Sequence, residues 1–470
     1  MKNRKFKIDI EEIQELLESF SFTSIGDPKE ALSKMTYYID EQHLQDRAYE
    51  IIHHYNCNEI FENLFSKLSS LCLDKKCSEC PVKKYCNFYI AKQRSGIKKD
   101  TKKMIDLFCG AGGLSLGFSQ EGFITSLAND IQECCIDTYA HNHPETPRKN
   151  IILGDIQDLI PNIQDLVNEV VDIVIGGPPC QGFSVANRQR IIDDPRNSLY
   201  KSFVDIVGIV KPQFVLMENV KGMLSVADQV VEDFNRIGYQ VDYRVLNAKN
   251  YGVPQNRERL IYIGNRIGIP NNDVFDKIEN LANEIPDFVL KDAIYGLKEL
   301  EPLRIKNSTS FVSPTTGARI MPSTGKVNEY IEYINKSSDI KITFNHKSRY
   351  NNDRDIEIFG RLHPGDKSDD PKIEDIMPYK NRNHIFKDKY YKLDPDKVCK
   401  TITAHMRFDC NMYIHPYQPR GLTPREAARV QSYPDDYYFR GSFTKTYMQI
   451  GNSVPPLLGR SIAKIIKQYL

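Results

Sequence analysis

No stretch of these 470 residues is apolar for long enough to cross a bilayer. The opening MKNRKFKIDIEEIQELL has basic residues but no apolar core region, so no secretion signal is expected there. Its apolar positions Ile10, Ile13, Leu17 and Phe20 have helical spacing instead. An excess of one charge is also missing. The formal net charge is +1, so overall charge points to no class of partner. Internal repeats and low-complexity tracts are absent, which argues against a solenoid and against a mainly disordered chain.

What is present is ordinary globular material. Hydrophobic residues make up 40% and charged residues 27%, and the length suggests two or three domains. Locally the charge is uneven. Lys75 to Lys103 holds ten Lys/Arg against Glu79 and Asp100, a stretch suited to phosphates or simply to a solvated surface. The eleven cysteines are unevenly placed, with Cys72, Cys77, Cys80 and Cys86 in the pattern C-x4-C-x2-C-x5-C. Four thiols within fifteen residues suit a tetrahedral metal or a cluster better than disulfides.

From residue 101 short apolar runs alternate with amphipathic helices. MIDLF, FITSLAND, IILGD, VDIVIGG and FVLMEN read as strands, and YQVDYRVLNA and RLIYIGN as two more. Helical segments fall between them, including Ile163–Val170 and Ser198–Val210. This pattern predicts an α/β fold with a parallel sheet covered on both faces. After Arg266 the regularity stops, and the polar region to Lys400 is too long for a loop. The predicted organisation is a helical N-terminal domain over 1–100, a catalytic domain over 101–268, an inserted domain over 269–400 and a C-terminal completion over 401–470. The final helix should bury Leu457, Leu458, Ile462, Ile465 and Ile466.

Chemistry concentrates at strand ends. Gly110, Gly112 and Gly113 follow the first strand and open a helix, letting a ligand approach the backbone. Asp130 ends the second strand, where a carboxylate suits a ribose diol. Asp155 follows the third and suits an adenine amine. The spacing is G-x-G-G, not the G-x-G-x-x-G of dinucleotide sites, so the site reads as one for adenosine without a diphosphate. In GGPPCQGFS, Pro178 and Pro179 brace a turn that carries Cys180 at the end of the fourth strand. Glu218 ends the fifth, and QNRER brings Gln255, Arg257 and Arg259 to the same rim. Separately these residues have bland readings as a buried Cys, a helix cap and surface Arg. Together they form a thiol, a carboxyl and two guanidiniums on one edge.

DLFCGAGGLSLGF, GGPPCQGFS, ENV, QNRER, RGLTPREAARVQSYPDDY and QIGNSVPP, in that order, resemble the motifs of the DNA (cytosine-5)-methyltransferases. The resemblance covers roughly 103–265 and 401–463. It implies a Rossmann-like S-adenosylmethionine-dependent methyltransferase sheet, with an inserted target-recognition domain and a small N-terminal helical domain that carries the four-cysteine loop. It implies Cys180 as nucleophile, with Glu218 and Arg259 holding the cytosine and Arg257 supporting the loop or reaching a phosphate. Phe108, Gly110, Gly113, Asp130, Ile131, Asp155, Ile156, Asn452 and Ser453 would bind S-adenosylmethionine. Asp130 stands where the family often has Glu, and Ile131 where a larger apolar residue is common. Gln181, Ser184, Gln255 and Thr401 would touch DNA, and Arg349, Arg354, Lys380, Arg382 and His384 are candidate base contacts in the insert. TPREAARVQSYP reads as scaffold. The implied setting is bacterial and cytoplasmic at the nucleoid, with a monomer acting on duplex DNA beside an independent restriction endonuclease and no membrane. An RNA cytosine methyltransferase and a non-catalytic DNA-binding paralogue are the alternatives. CSECPVKKYC is similar to the iron–sulfur loop of helix-hairpin-helix DNA glycosylases, though the preceding gap is four residues where that family usually has six. Cys72, Cys77, Cys80 and Cys86 would then hold a 4Fe-4S cluster or zinc.

Overall fold

The computed structural model describes residues 101–143, 145–179, 199–306, 313–335, 342–378 and 388–470. The expected N-terminal domain with Cys72, Cys77, Cys80 and Cys86 lies outside the described residues. So do Cys180, Gln181, Ser184, Lys380, Arg382 and His384.

Seven strands form the main sheet: β1 (Lys102–Leu107), β2 (Phe123–Asp130), β3 (Ile151–Leu153), β4 (Ile173–Gly176), β5 (Phe214–Asn219), β6 (Gln240–Asn247) and β7 (Glu258–Asn265). Their order is β3-β2-β1-β4-β5-β7-β6. The first five pair in parallel, as the alternation with helices requires. β7 departs from the expected parallel sheet. It runs antiparallel between β5 and β6, because the short connection after β6 cannot make a crossover.

Every residue of β4 and β5 is buried, which explains the apolar runs Ile173–Ile175 and Phe214–Met217. Successive side chains feed two cores. Met104, Ile173, Ile175, Leu216 and Ile263 face one cluster. Ile105, Leu107, Val174, Val215 and Met217 face the other. Helices α3 (Leu199–Val210) and α4 (Ala227–Arg236) cover the second face with Phe203, Ile206, Val230 and Phe234. The segment expected as a helix over Ile163–Val170 is one turn, Ile163–Leu166.

On the first face lie α1 (Gly113–Gln120), α5 (Asn271–Ala282) and α10 (Pro456–Ile466). The five apolar residues predicted for the final helix are all buried. A Cβ at Gly117 would sit 2.4 Å from the Arg460 nitrogen, so glycine permits α1 and α10 to cross closely. Lys102 Nζ donates to the Leu470 carbonyl at 2.6 Å, joining first strand to last residue. Val274, Phe275 and Ile278 of α5 share the sheet's apolar cluster, so the core runs on past the boundary expected at 269.

Farther along, β8 (Gly317–Pro322) and β9 (Ile342–Lys347) make an antiparallel pair. Helices α6 (Glu329–Asn335) and α7 (Asp353–Arg361) follow them. Helix α8 (Pro424–Val430) is buried at all seven positions, in keeping with a scaffold, and α9 (Phe443–Asn452) precedes α10. Among the described residues no helix is long and apolar enough to cross a membrane.

Candidate active site

A cavity of about 670 Å³ opens at the ends of β1, β2, β4 and β5, where open α/β sheets place their ligands. Phe108, at the end of β1, has φ 55°, a left-handed conformation that a bulky side chain adopts only under constraint. Gly110 follows with φ +52°, and a Cβ there would meet nothing within 4 Å. Its openness suits backbone approach by a ligand. Gly112 and Gly113 serve another purpose. A Cβ on Gly113 would lie 2.4 Å from the Val454 carbonyl, so that glycine admits the protein's own C-terminal segment.

Asp130 holds this loop. One carboxylate oxygen accepts the Gly110 amide at 2.9 Å and the other the Gln132 amide at 2.7 Å. Burial pushes its carboxyl pKa up, and the Gln132 and Gly110 amides hold it back. Ile131 beside it is 62% exposed, an apolar surface on the cavity wall. Asp155 accepts the Gln157 amide at 2.9 Å as a helix cap, and Ile156 is buried next to it. Asn452 is exposed on the same wall. Ser453 has its hydroxyl tied to Gln449 O and the Tyr433 hydroxyl, each at 2.7 Å.

At the other end of the cavity Arg259 Nε meets Glu218 Oε1 at 2.7 Å, both side chains nearly buried. Burial lowers the Arg259 pKa, and the Glu218 charge opposes that fall. A Cβ on Gly177 would come within 3.0 Å of Glu218 Oε2, so glycine there leaves the carboxylate room. Asn219 donates from its amide to the Pro178 carbonyl at 2.9 Å, fixing the braced turn two residues before Cys180.

One expectation needs correction. Gln255 is fully buried, donating to Val430 O and Gln431 Oε1 and accepting from the Ile402 amide. It ties the C-terminal segment to the sheet rather than touching DNA. Arg257 is 1% exposed, and its guanidinium binds the carbonyls of Ile402 (2.7 Å), Gly451 (3.1 Å) and Ser453 (2.8 Å). It supports the cavity wall. Thr401 is half-buried, its hydroxyl donating to Asn256 O at 2.6 Å.

In the insert, Arg349 is held by backbone carbonyls. Its guanidinium engages the carbonyls of Met406 (2.5 Å), Arg407 (3.1 Å) and Phe408. Arg354 is exposed on α7.

Sequence reasoning passed over Asp106, Asn219 and Phe408. Asp106 is buried on the cavity floor against Ser115, and burial pushes its pKa up to about 8. Its signal was present in DLFCGAGG, as Asn219's was in MENV. Phe408 carried none. Cys109 and Cys135 also line the cavity. Burial raises Cys109's thiol, while Cys135's is raised first by its hydrogen bond to Cys134 and then by burial, so both are poor nucleophiles. Among the described residues no group of three or more His, Cys, Asp or Glu could hold a metal ion.

Residues 102–468 match the family model of C-5 cytosine-specific DNA methylases. The chain is 34% identical over 391 residues to the type II methyltransferase M.DdeI of Desulfomicrobium norvegicum, covering 78% of this chain and 88% of that one. It is 33% identical over 393 residues to the type II methyltransferase M.XorII of Xanthomonas oryzae pv. oryzae, covering 78% and 84%. A crystal structure of a prophage-encoded E. coli protein assigned as a DNA modification methyltransferase superposes with a TM-score of 0.60 at 28% identity, covering 78% and 99%. The glycine loop with its carboxylate, the Glu–Arg pair and these matches lead to one conclusion: this chain belongs to the C-5 cytosine-specific DNA methylases and is a DNA (cytosine-5-)-methyltransferase.

Proposed function

We propose that this enzyme methylates C5 of a cytosine rotated out of duplex DNA, within a specific sequence. S-adenosylmethionine is the donor and Cys180 a transient covalent nucleophile. The observation that carries this reading is the shared cavity. The Glu218–Arg259 pair sits at one end and the Asp130-held Gly110 loop at the other.

The donor wall fits S-adenosylmethionine. Asp130 keeps lone pairs for a ribose diol, Gly110 leaves its backbone open, and Ile131 offers an apolar face to a purine. When bound, S-adenosylmethionine supplies an electrophilic sulfonium methyl. The chain's own groups do the rest. Cytosine C5 is a poor nucleophile, and addition of the Cys180 thiolate to C6 makes it enamine-like. Glu218 holds N3 and the exocyclic amine, and Arg259 holds O2 as charge builds in the ring. Once C5 carries the methyl, its proton leaves to a base. The C6–sulfur electron pair then returns to Cys180, restoring the ring. A pocket at strand ends is beyond the reach of a stacked base, so the target must leave the helix. Arg257 and Gln255 act as positioning residues that keep the walls together.

Relatives named as type II methyltransferases and the long insert support DNA over RNA as substrate. They also support a role in bacterial restriction–modification, beside an independent nuclease. The C-x4-C-x2-C-x5-C spacing alone supports an iron–sulfur cluster, or zinc, on Cys72, Cys77, Cys80 and Cys86. Iron and zinc analysis of protein purified without oxygen decides it, and absence of both metals removes it.

The reaction is tested by methylation-aware sequencing of host DNA with and without the chain. The expected result is 5-methylcytosine in one short sequence context. Methylation at the cytosine amine, or none in DNA, would overturn the proposal.

A further inference from the structure

The cavity floor holds a buried acid that the proposed reaction does not use. Asp106 lies on β1, between β2 and β4 in the sheet. Across the sheet Asn129, Leu107, Gly176 and Met217 pair in one row. One residue farther along their strands come Asp130 and Glu218, so the two ends of the cavity stand on either side of β1. Asp106 is one residue before that row, paired with Ala128 and Ile175. It is two residues from Met104, which joins Ile175 and Leu216 on the face that α1 covers, so its own side chain takes that face. Ser115 of α1 donates to it there.

Asp106 is 1% exposed, lines the cavity, and has no ion pair among the described residues. Its surroundings are neutral or acidic. Ser115 bonds it from α1 and in turn meets, at 2.8 Å, the Tyr139 hydroxyl of α2 (Glu133–Asn142). Asp130 faces it from β2, the Cys109 thiol from the loop after β1, and the Tyr433 hydroxyl from the segment after α8. Burial pushes its pKa up to about 8; the Ser115 hydroxyl opposes the rise and the Asp130 charge adds to it. In this environment the carboxyl keeps its proton near neutral pH. A cation in the cavity that it lines favours the opposite state, because charges act strongly across buried, weakly polarisable protein.

S-adenosylmethionine brings such a cation at its sulfonium. When the methyl passes to C5, the electron pair of the sulfur–methyl bond stays on sulfur, and the product, S-adenosylhomocysteine, is an uncharged thioether at that atom. The adenine, ribose and amino-acid ends are common to both. On the donor reading of this cavity, we infer that Asp106 senses the sulfonium charge: its carboxyl gives up a proton to solvent when the donor binds, keeps it when the product binds, and so favours fresh donor over spent product. No hydrogen bond to the ligand is needed, because the carboxylate acts through its field from beneath the span between Asp130 and Glu218. Donor binding that releases a proton strengthens as pH rises, and product binding does not follow it. Burial raises the Asp130 pKa as well, but Asp130 faces the same ribose in both ligands and cancels in their ratio.

Calorimetry of the full chain with each ligand, without DNA, tests this. Each titration is run in two buffers of different ionisation enthalpy, so that the heat reports protons released. At pH 7 the donor should release about half a proton or more, and the product close to none. Between pH 6 and pH 8 the ratio of product to donor dissociation constants should grow about fivefold. Asp106→Asn keeps the shape and an acceptor for Ser115, and it should abolish the release and hold the ratio constant. Should that variant not fold, Ser115→Ala removes the hydroxyl that favours the charged form and should move the release to higher pH. Equal release for both ligands, a wild-type ratio level from pH 6 to pH 8, or a release that survives Asp106→Asn overturns the assignment and leaves the donor site standing. So does a variant that weakens both ligands alike and keeps the pH-dependent ratio, for Asp106 would then be structural. Failure of the donor to bind the wild type at any pH would count against the donor site itself, and the role of Asp106 would fall with it.

Discussion

Asp130 holds the Gly110 and Gln132 amides with its two oxygens and still has lone pairs facing the cavity. It shapes the loop, and under the proposed function the same group binds the donor. Asp130→Ala should weaken S-adenosylmethionine binding by about 1–3 kcal/mol, the cost of leaving hydrogen-bonding groups unpaired. Isothermal calorimetry measures this, and DNA affinity without the donor should hardly move. Unaltered donor affinity would mean that another carboxylate holds the ribose. The same scale shows how far residues could be read from sequence. Gln255, Arg257 and Arg259 alternate with exposed Asn256 and Glu258, so one face for the three was visible in the pattern. What that face meets was not. The carbonyls that hold Arg257 belong to Ile402, Gly451 and Ser453, 145 to 196 residues away. Arg259 faces the cavity paired with Glu218.

Helix α8 buries three charged side chains, Arg425, Glu426 and Arg429. Thr423 caps it, and Glu426 completes a capping box by accepting the Thr423 amide at 2.7 Å. Arg420 grips both oxygens of Glu426 at 2.6 and 2.8 Å, with neither side chain exposed. Burial alone would raise the Glu426 pKa, but Arg420 and His415 hold it well below the usual carboxylate range. Glu426→Ala should cost about 3–5 kcal/mol, because Arg420 would remain as a buried unpaired charge. Two histidines share this cluster. His346 takes the Thr423 hydroxyl at 3.0 Å and faces the Lys298 carbonyl at 2.8 Å. Burial lowers its pKa to about 4 and that of His415 to about 3. In the unfolded chain both titrate near 6.5. As pH falls below that value the unfolded state takes up protons that the fold refuses, so stability declines toward pH 4. Glu426 acts in the same direction at lower pH. The unfolding midpoint should therefore drop between pH 7 and pH 5, and His346→Gln should flatten part of the drop. A midpoint constant over that range would contradict the burial argument.

For the whole molecule, the strand runs were legible because buried parallel strands carry short continuous apolar runs such as Phe214–Met217. The antiparallel β7 was not, since direction depends on connection length and not on side chains. Across the boundary expected at 269 the apolar cluster is continuous. Polar faces on α5 hide an apolar stripe, Val274, Phe275 and Ile278, that joins the main core. Of the cavity, its strand-end residues were legible and its closing wall was not. That wall comes from Ala404 to Phe408 and Met448 to Val454, brought to β1 by folding alone.

The covalent step through Cys180 is the centre of the account, and one measurement reaches it directly. Duplex DNA with 5-fluorocytosine at the target position is incubated with the full chain and S-adenosylmethionine, then run on a denaturing gel. Fluorine at C5 cannot leave as a proton does, so the C6 thioether should persist. The wild type should give a shifted protein–DNA band whose adduct maps to Cys180 by peptide mass. Cys180→Ser, whose hydroxyl is scarcely ionised near neutral pH, should give neither band nor methylation while still binding the donor. An adduct on Cys109, Cys134 or Cys135, or robust methylation by Cys180→Ser, would contradict it.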